Sequence, residues 1–254
     1  MTDIPIALQL YSVSDDCAAN LPDVLKQVAG WGYDGVEFAG LHGHAPAKLK
    51  AQMDELGLAC AGAHVPVAAF EDEVINQTIE DYLALGCPYL IVPWLPDEKR
   101  DSPASTQQTA AWFTQLEAKL KPHGLRSGFH AHYIDVKPFD TGQSPWDILA
   151  QNTPDSFILQ YDTANGIQGG ADPVAPIRDH PGRSVSLHLK EYSNVHGHGH
   201  AVIGQGDVPW PDVFAAATEV GGTQWYVVEQ EGHPTLSAME AAHQCLDNLR
   251  AMGA

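Results

Sequence analysis

Short apolar runs alternate with longer amphipathic ones eight times along this chain, and no other feature limits its fold so tightly. IPIALQL (4 to 10) has the apolar density of a strand, and LPDVLKQVAGWG (21 to 32) has helical spacing and stops at glycine. The pairing repeats as DGVEFAG with PAKLKAQMDELG, LACAGAHV with DEVINQTIEDYLALG, and YLIVPW with STQQTAAWFTQLEAKLKPHG. It continues as LRSGFHAH with SPWDILAQN, SFILQYDT with ADPVAPIRD, SVSLHLKEY with WPDVFAAATEVG, and QWYVVEQ with LSAMEAAHQCLDNLRAM. Strands that alternate with helices imply a parallel sheet. Eight units, one per roughly 32 of the 254 residues, predict an α/β fold closed into a (β/α)8 barrel rather than an open doubly wound sheet. An open sheet with a phosphate loop would want G-x-G-x-x-G after the first strand, and QLYSVSDD offers none. No low-complexity linker interrupts the units, so a single domain over 1–254 is expected.

Charge narrows the partners. Lys and Arg number 13 against 32 Asp and Glu, a formal charge of −19, which repels phosphate backbones and anionic lipid surfaces. Neither nucleic acid nor membrane is therefore expected as a partner. Cys17, Cys60, Cys87 and Cys245 lie far apart with no C-x-x-C pair, against both a structural zinc site and a disulfide framework. MTDIPIALQLYS lacks the basic and apolar regions of a signal peptide, and no apolar run reaches 18 residues, so a cytoplasmic protein is expected.

Barrel enzymes gather their chemistry at the C-terminal ends of the strands. Here those ends carry Gln9 and Tyr11, Glu37, His64, Trp94, His130 and His132, Asp162 with Asn165, His188 with Lys190, and Glu229. One polar strand end is ordinary, since chains must exit to solvent. So many converging on one mouth are not, because burying an unpaired ionisable group costs several kcal/mol. His130, Asp162, His188 and Glu229 come one from each of strands five to eight, at separations of 32, 26 and 41 residues. Two imidazoles and two carboxylates make a neutral site around one divalent cation, a mixed N/O set suited to Mn, Co, Fe, Ni or Zn. Each also has a structural reading: Asp162 can cap the next turn, His188 can be a satisfied core histidine, and Glu229 can pair with Lys190.

GYDGVEFAG (32 to 40), FHAH (129 to 132), QYDTANGIQGGADPVAPIRDHPGR (160 to 183), SLHLKEY (186 to 192), GQGDVPW (204 to 210) and WYVVEQ (225 to 230) resemble the sugar phosphate isomerase/epimerase family, the xylose-isomerase-like TIM barrels. The resemblance spans most of the chain in order. It implies a cofactor of one divalent metal ion, Mn, Co, Zn, Fe or Mg, held by Asp162, His188 and Glu229. It further implies a small-molecule carbohydrate as partner, with homo-oligomers common among such barrels. The position after strand five is often glutamate in this superfamily, and His130 stands there. A relay between two metal-bound glutamates is thereby put in doubt, although one branch reads Y-H-N-H, which FHAH resembles. Ala164 and Gln205 depart from the commoner glycine and glutamate.

A cation chelating a carbonyl and its neighbouring hydroxyl acidifies the adjacent C–H by holding the enediolate that forms. Reprotonation then epimerises or isomerises, and loss of a β-substituent dehydrates or eliminates. The expected activity is thus that of an isomerase or epimerase on a sugar or keto-sugar. A lyase or dehydratase on an inosose or 3-keto-glycoside is the alternative, and a non-catalytic sugar-binding barrel a third. A DNA endonuclease on a related barrel would need a basic face that this composition does not supply. Glu229 is the expected base, with His130 or His132 opposite it and Lys190, on the face of His188, holding the enolate oxygen. Glu37 and His64 are expected against distal hydroxyls, Trp94, Tyr11 and Phe38 against a sugar ring, with Asn165 also at the substrate. VHGHGHAVIGQGD (195 to 207) follows strand seven and reads as a flexible lid, from which His198 is expected to touch substrate.

Overall fold

The structure is a computed structural model that describes residues 4–198 and 200–254, with residues 197 and 198 described by their backbone alone. Eight parallel strands form the sheet: β1 (Ile6–Gln9), β2 (Gly35–Ala39), β3 (Ala59–His64), β4 (Tyr89–Val92), β5 (Arg126–His130), β6 (Ile158–Gln160), β7 (Ser186–Leu189) and β10 (Trp225–Val228). The intervening β8 (Tyr192–Ser193) and β9 (Gly197–His198) make a separate antiparallel hairpin. The order β6-β5-β4-β3-β2-β1-β10-β7 leaves one seam, between β6 and β7. That seam is bridged at Asp162 and His188, where His188 N–H donates to the Tyr161 carbonyl at 2.9 Å. The fold is the eight-unit TIM barrel that the alternation predicts.

Period-two alternation sorts each strand into an outward apolar face and an inward mixed one. Ile6 and Leu8, Val36 and Phe38, Leu187 and Leu189, and Tyr226 and Val228 belong to the large core shared with the surrounding helices. Inside, the floor is Tyr89, Ile91, Ile158 and Val185 with Trp225 against them, followed by Ala7, Ala61 and Val227. Above those apolar layers the inward positions turn polar.

The helices are α1 (Ser14–Trp31), α2 (Pro46–Leu56), α3 (Ile75–Leu85), α4 (Pro103–Leu120), α5 (Pro145–Asn152), α6 (Thr163–Gln168), α7 (Ala175–Arg178), α8 (Trp210–Ala216) and α9 (Ala238–Met252). α1 starts seven residues before the run read from the sequence and breaks at Asn20 (φ −161°, ψ 76°). Pro22 explains the break: it cannot continue a helix from Asn20, but it suits the first turn of a new one. Gly32 ends α1 at φ 94°, a left-handed conformation that a side chain would strain. No helix among the described residues is long and apolar enough to cross a membrane.

Candidate active site

Inward positions two residues apart build the site in two storeys. The lower storey is Gln9, Glu37, Gln160 and Ser186, all fully buried. Glu37 Oε2 accepts from Gln9 Nε2 at 2.6 Å and from His188 Nε2 at 2.6 Å, and its Oε1 accepts from Gln160 Nε2 at 2.7 Å. The carboxylate fits because β3 offers Gly62 beside it: a Cβ there would stand 2.9 Å from Glu37 Oε1.

Gln160 sets the orientation of the storey above. A carboxylate only accepts, so Gln160 must turn its amide nitrogen to Glu37, leaving its oxygen to receive His64 Nε2 at 2.8 Å and His130 Nδ1 at 3.0 Å. Both imidazoles therefore carry their proton on the nitrogen facing Gln160. His130 Nε2 is left as a lone pair, 3.7 Å from Glu229 Oε2 and 4.0 Å from Asp162 Oδ2.

The upper storey is His130, Asp162, His188, Lys190 and Glu229. His188 is clamped between Glu37 and Glu229, with Nδ1 2.6 Å from Glu229 Oε2. Lys190 Nζ lies 3.2 Å from Asp162 Oδ2, 3.5 Å from Glu229 Oε1 and 2.9 Å from Glu231 Oε1. Asp162 does cap α6, through Oδ1 and the Asn165 N–H at 2.7 Å, while Oδ2 faces the mouth. Among the described residues that buried Oδ2 has no hydrogen-bond partner, with the Lys190 ammonium as its counter-charge. One ligand atom each from His130, Asp162, His188 and Glu229 lie within 4.8 Å of one another. The structure thus brings together the quartet read from four separate strands; His64, His130 and His188 form a second, overlapping group.

Burial and neighbours divide the charges. Burial disfavours a charged His188, but Glu37 and Glu229 outweigh it and hold the imidazolium up to about 10. Burial likewise opposes charge on Lys190, and Asp162, Glu229 and Glu231 overcome it, pushing the ammonium upward. Glu229 goes well below the usual carboxylate range because Lys190 and His188 overcome its own burial, whereas burial carries Asp162 upward against the pull of Lys190. Desolvation, with the positive His188 beside it, drives His130 well down, and desolvation with Lys190 and Arg100 lowers His132 to about 4. At neutral pH the mouth therefore holds ionised Glu229, cationic Lys190 and His188, and neutral His130 and His132.

A cavity of about 600 Å³ opens over this layer, lined by His64, Trp94, His130, His132, Glu229 and Glu231 among others. His64, Trp94 and His132 thus face the space where a substrate would lie. Three expected substrate contacts do not. Glu37 is fully buried beneath His188, because three donors from Gln9, Gln160 and His188 hold it there. Asn165 is buried and its amide donates to the Ala131 carbonyl at 2.9 Å, tying α6 to the end of β5. Phe38 points outward into the helix-facing core, as the strand alternation requires. The side chain of His198 lies outside the described residues. Arg126 and Arg183 sit at the opposite, N-terminal end of the strands, bonded to the Ser156 and Phe157 carbonyls.

Sequence reasoning passed over Gln160, Glu191 and the Arg100–Asp135 pair. Gln160 could have been found, since it precedes Asp162 by two and so shares its inward face. Arg100 Nε meets Asp135 Oδ1 at 2.8 Å, both buried, and Asp135 Oδ2 accepts the His132 N–H at 2.7 Å, which fixes the backbone that presents His132. Glu191 accepts from the N–H groups of Tyr192, Gly204 and Val208 and from Trp210 Nε1, at 2.7 to 3.1 Å. With Asp207 N–H donating to the Tyr192 carbonyl at 2.7 Å, this pins both legs of the 192–210 loop. Ala201, Val202 and Ile203 are buried as well. The loop read as a flexible lid is therefore an anchored hairpin with an exposed tip, because one buried carboxylate satisfies four of its donors.

A family model described as xylose isomerase-like TIM barrel matches residues 25–251. The chain is 22% identical over 249 residues to an inosose dehydratase of Geobacillus kaustophilus, covering 84% of this chain and 81% of that protein. Among solved structures, a sugar phosphate isomerase/epimerase from Parabacteroides distasonis superposes with a TM-score of 0.84 at 21% identity, over 100% of this chain and 96% of the other. The IolI protein with a bound zinc atom superposes with a TM-score of 0.78 at 16% identity, over 98% and 97% of the two chains.

Proposed function

Because the chain belongs to the xylose isomerase-like TIM barrel family, we propose that it is a divalent-metal-dependent isomerase or epimerase of a sugar or keto-sugar. The observation that carries this reading is the buried His130, Asp162, His188 and Glu229 quartet, within 4.8 Å and directly beneath a sugar-sized cavity. The donor set fits a cation: two carboxylates and two imidazoles, with Asp162 Oδ2 buried and aimed at the common centre. The Gln160 oxygen leaves His130 Nε2 as a lone pair on that side. Glu37 holds the Nε2–H of His188, so Nδ1 is the nitrogen that can give up its proton and ligate. A divalent cation held there would polarise a substrate carbonyl and its neighbouring hydroxyl as a Lewis acid.

The protein's own groups then divide the remaining work. Glu229, ionised and facing the cavity, accepts the proton from the carbon next to the carbonyl. Lys190 stays protonated and acts as a fixed positive charge near the developing oxyanion rather than as a base. His132, neutral and lining the opposite wall with His64, is placed to hydrogen-bond a hydroxyl or to return a proton from the other face. Trp94, 56% exposed, offers an aromatic face to the apolar side of a ring.

The inosose dehydratase relative favours a second reading, in which the same proton removal is followed by loss of water from the adjacent carbon. Incubation with ketohexoses, inososes and 3-keto-glycosides in deuterated water separates the two. Deuterium incorporated without loss of mass identifies isomerisation or epimerisation; loss of water identifies the dehydratase. Protein purified from metal-replete cells is expected to carry close to one divalent ion per chain, and an absence of metal would overturn the assignment.

A further inference from the structure

The cavity over the quartet has a neighbour. A second hollow, about 730 Å³, lies beyond the ends of β1 and β10, between the start of α1 and the start of α9, lined by Ser14, Asp15, Asp16, His200 and Ala238. Tyr11 and Glu231 line both hollows, so the two are lobes of one cleft with Tyr11 on the divide. Each lobe alone falls within the roughly 300–1,000 Å³ of a small-molecule site, so one monosaccharide cannot fill both.

The chemistry of the walls selects an occupant. Neither lobe is lined by a lysine or arginine among the described residues, and the second carries Asp15 and Asp16, so a phosphate or carboxylate on a second unit would meet repulsion there. The second lobe instead presents serine hydroxyls and the carboxylates of Asp15, Asp16 and Glu231, which accept hydrogen bonds from sugar hydroxyls. Tyr11 is 61% exposed at the divide and Trp94 56% exposed in the first lobe, two aromatic faces suited to two pyranose rings.

We propose that the substrate is a neutral glycoside or disaccharide whose reacting sugar carries the carbonyl and lies over the quartet, with its second unit in the lobe between Tyr11, Asp16 and Ala238. This rests on the isomerase reading of the quartet, and it deepens that reading by naming the substrate class. The His200 end of the anchored loop becomes a wall of the second subsite.

The test is calorimetric titration of the metal-loaded protein with maltose, cellobiose, trehalose and sucrose, against glucose and glucose 6-phosphate. At least one disaccharide is expected to bind tenfold or more tighter than glucose, with glucose 6-phosphate no tighter than glucose. Ala238→Trp, which crowds the second lobe, and Tyr11→Ala, which removes an exposed ring, are each expected to bring that ratio towards one. The proposal is overturned if no disaccharide exceeds glucose, if glucose 6-phosphate binds tightest, or if both variants keep the wild-type ratio. Deuterium exchange on keto derivatives of the same sugars is read in parallel: a binding surplus without exchange removes the isomerase reading and leaves the two-unit cleft standing.

Discussion

Replacing Gln160 with methionine probes the polar floor of the site with little change in volume and no added charge. The side chain makes four hydrogen bonds: to Glu37 at 2.7 Å, to Ser186 Oγ at 2.9 Å, and from His64 and His130 at 2.8 and 3.0 Å. A bond to a charged group is worth about 1.5–3 kcal/mol and a neutral one about 0.5–1.5 kcal/mol net. Glu37 keeps its other donors, Gln9 and His188, so the full sum is not lost. Gln160→Met should therefore destabilise the chelated protein by about 4 kcal/mol, a large share of the roughly 5–15 kcal/mol that holds a domain together. Urea unfolding at neutral pH measures it as a shift in midpoint at constant slope. The same variant frees the His130 ring to carry its proton on either nitrogen, so divalent-metal affinity should fall by roughly 10–100-fold, and ¹⁵N shifts of His130 should move from one tautomer towards a mixture. A stability change below about 1 kcal/mol with an unaltered His130 tautomer would refute the orienting role given to Gln160.

Other expectations follow from the same geometry. Glu229→Gln should lower deuterium exchange by roughly 10²–10⁴-fold while circular dichroism stays native; exchange within a few-fold of wild type would show that another group is the base. In chelated protein, His188 is raised to about 10, so its stabilisation is whole below its unfolded value and drains away as pH climbs through that range. His130 and His132 are depressed, so their contribution stands above the unfolded histidine value and is lost as pH falls, towards about 4 for His132. Urea midpoints should peak between these limbs, and a midpoint still rising at pH 9.5 would contradict the clamp on His188. Glu191→Ala should speed amide exchange across residues 192–210 while leaving β1 to β6 protected, because four donors lose their acceptor at once. Unchanged exchange in that loop would show that its buried Ala201, Val202 and Ile203 hold it unaided.

Much of this was legible in the sequence because a barrel repeats one simple rule. Each apolar run becomes a strand, its last inward residue reaches the mouth, and eight repeats bring eight such residues together. His130, Asp162, His188 and Glu229 could be picked from four distant segments for that reason, and Lys190 followed from standing two residues after His188. Phe38 was misplaced because period-two alternation, applied from Glu37, puts it on the other face.

What the sequence alone determined is the alternation of faces, and with it which residues arrive at the mouth. Only the tertiary structure decided what each does there, since that depends on partners contributed by other strands. Glu37 lies one storey too low to meet a substrate, and its three donors come from β1, β6 and β7. Gln160 is a single polar residue in an apolar run until His130 from the adjacent β5 and His64 from the more distant β3 close on its oxygen. The histidine-rich loop looked mobile by its glycines, yet Glu191 at its base supplies the acceptor that its backbone needs. Periodicity is written along one chain segment, whereas hydrogen-bond satisfaction in a buried site is settled between segments, and it is the second that assigns the roles.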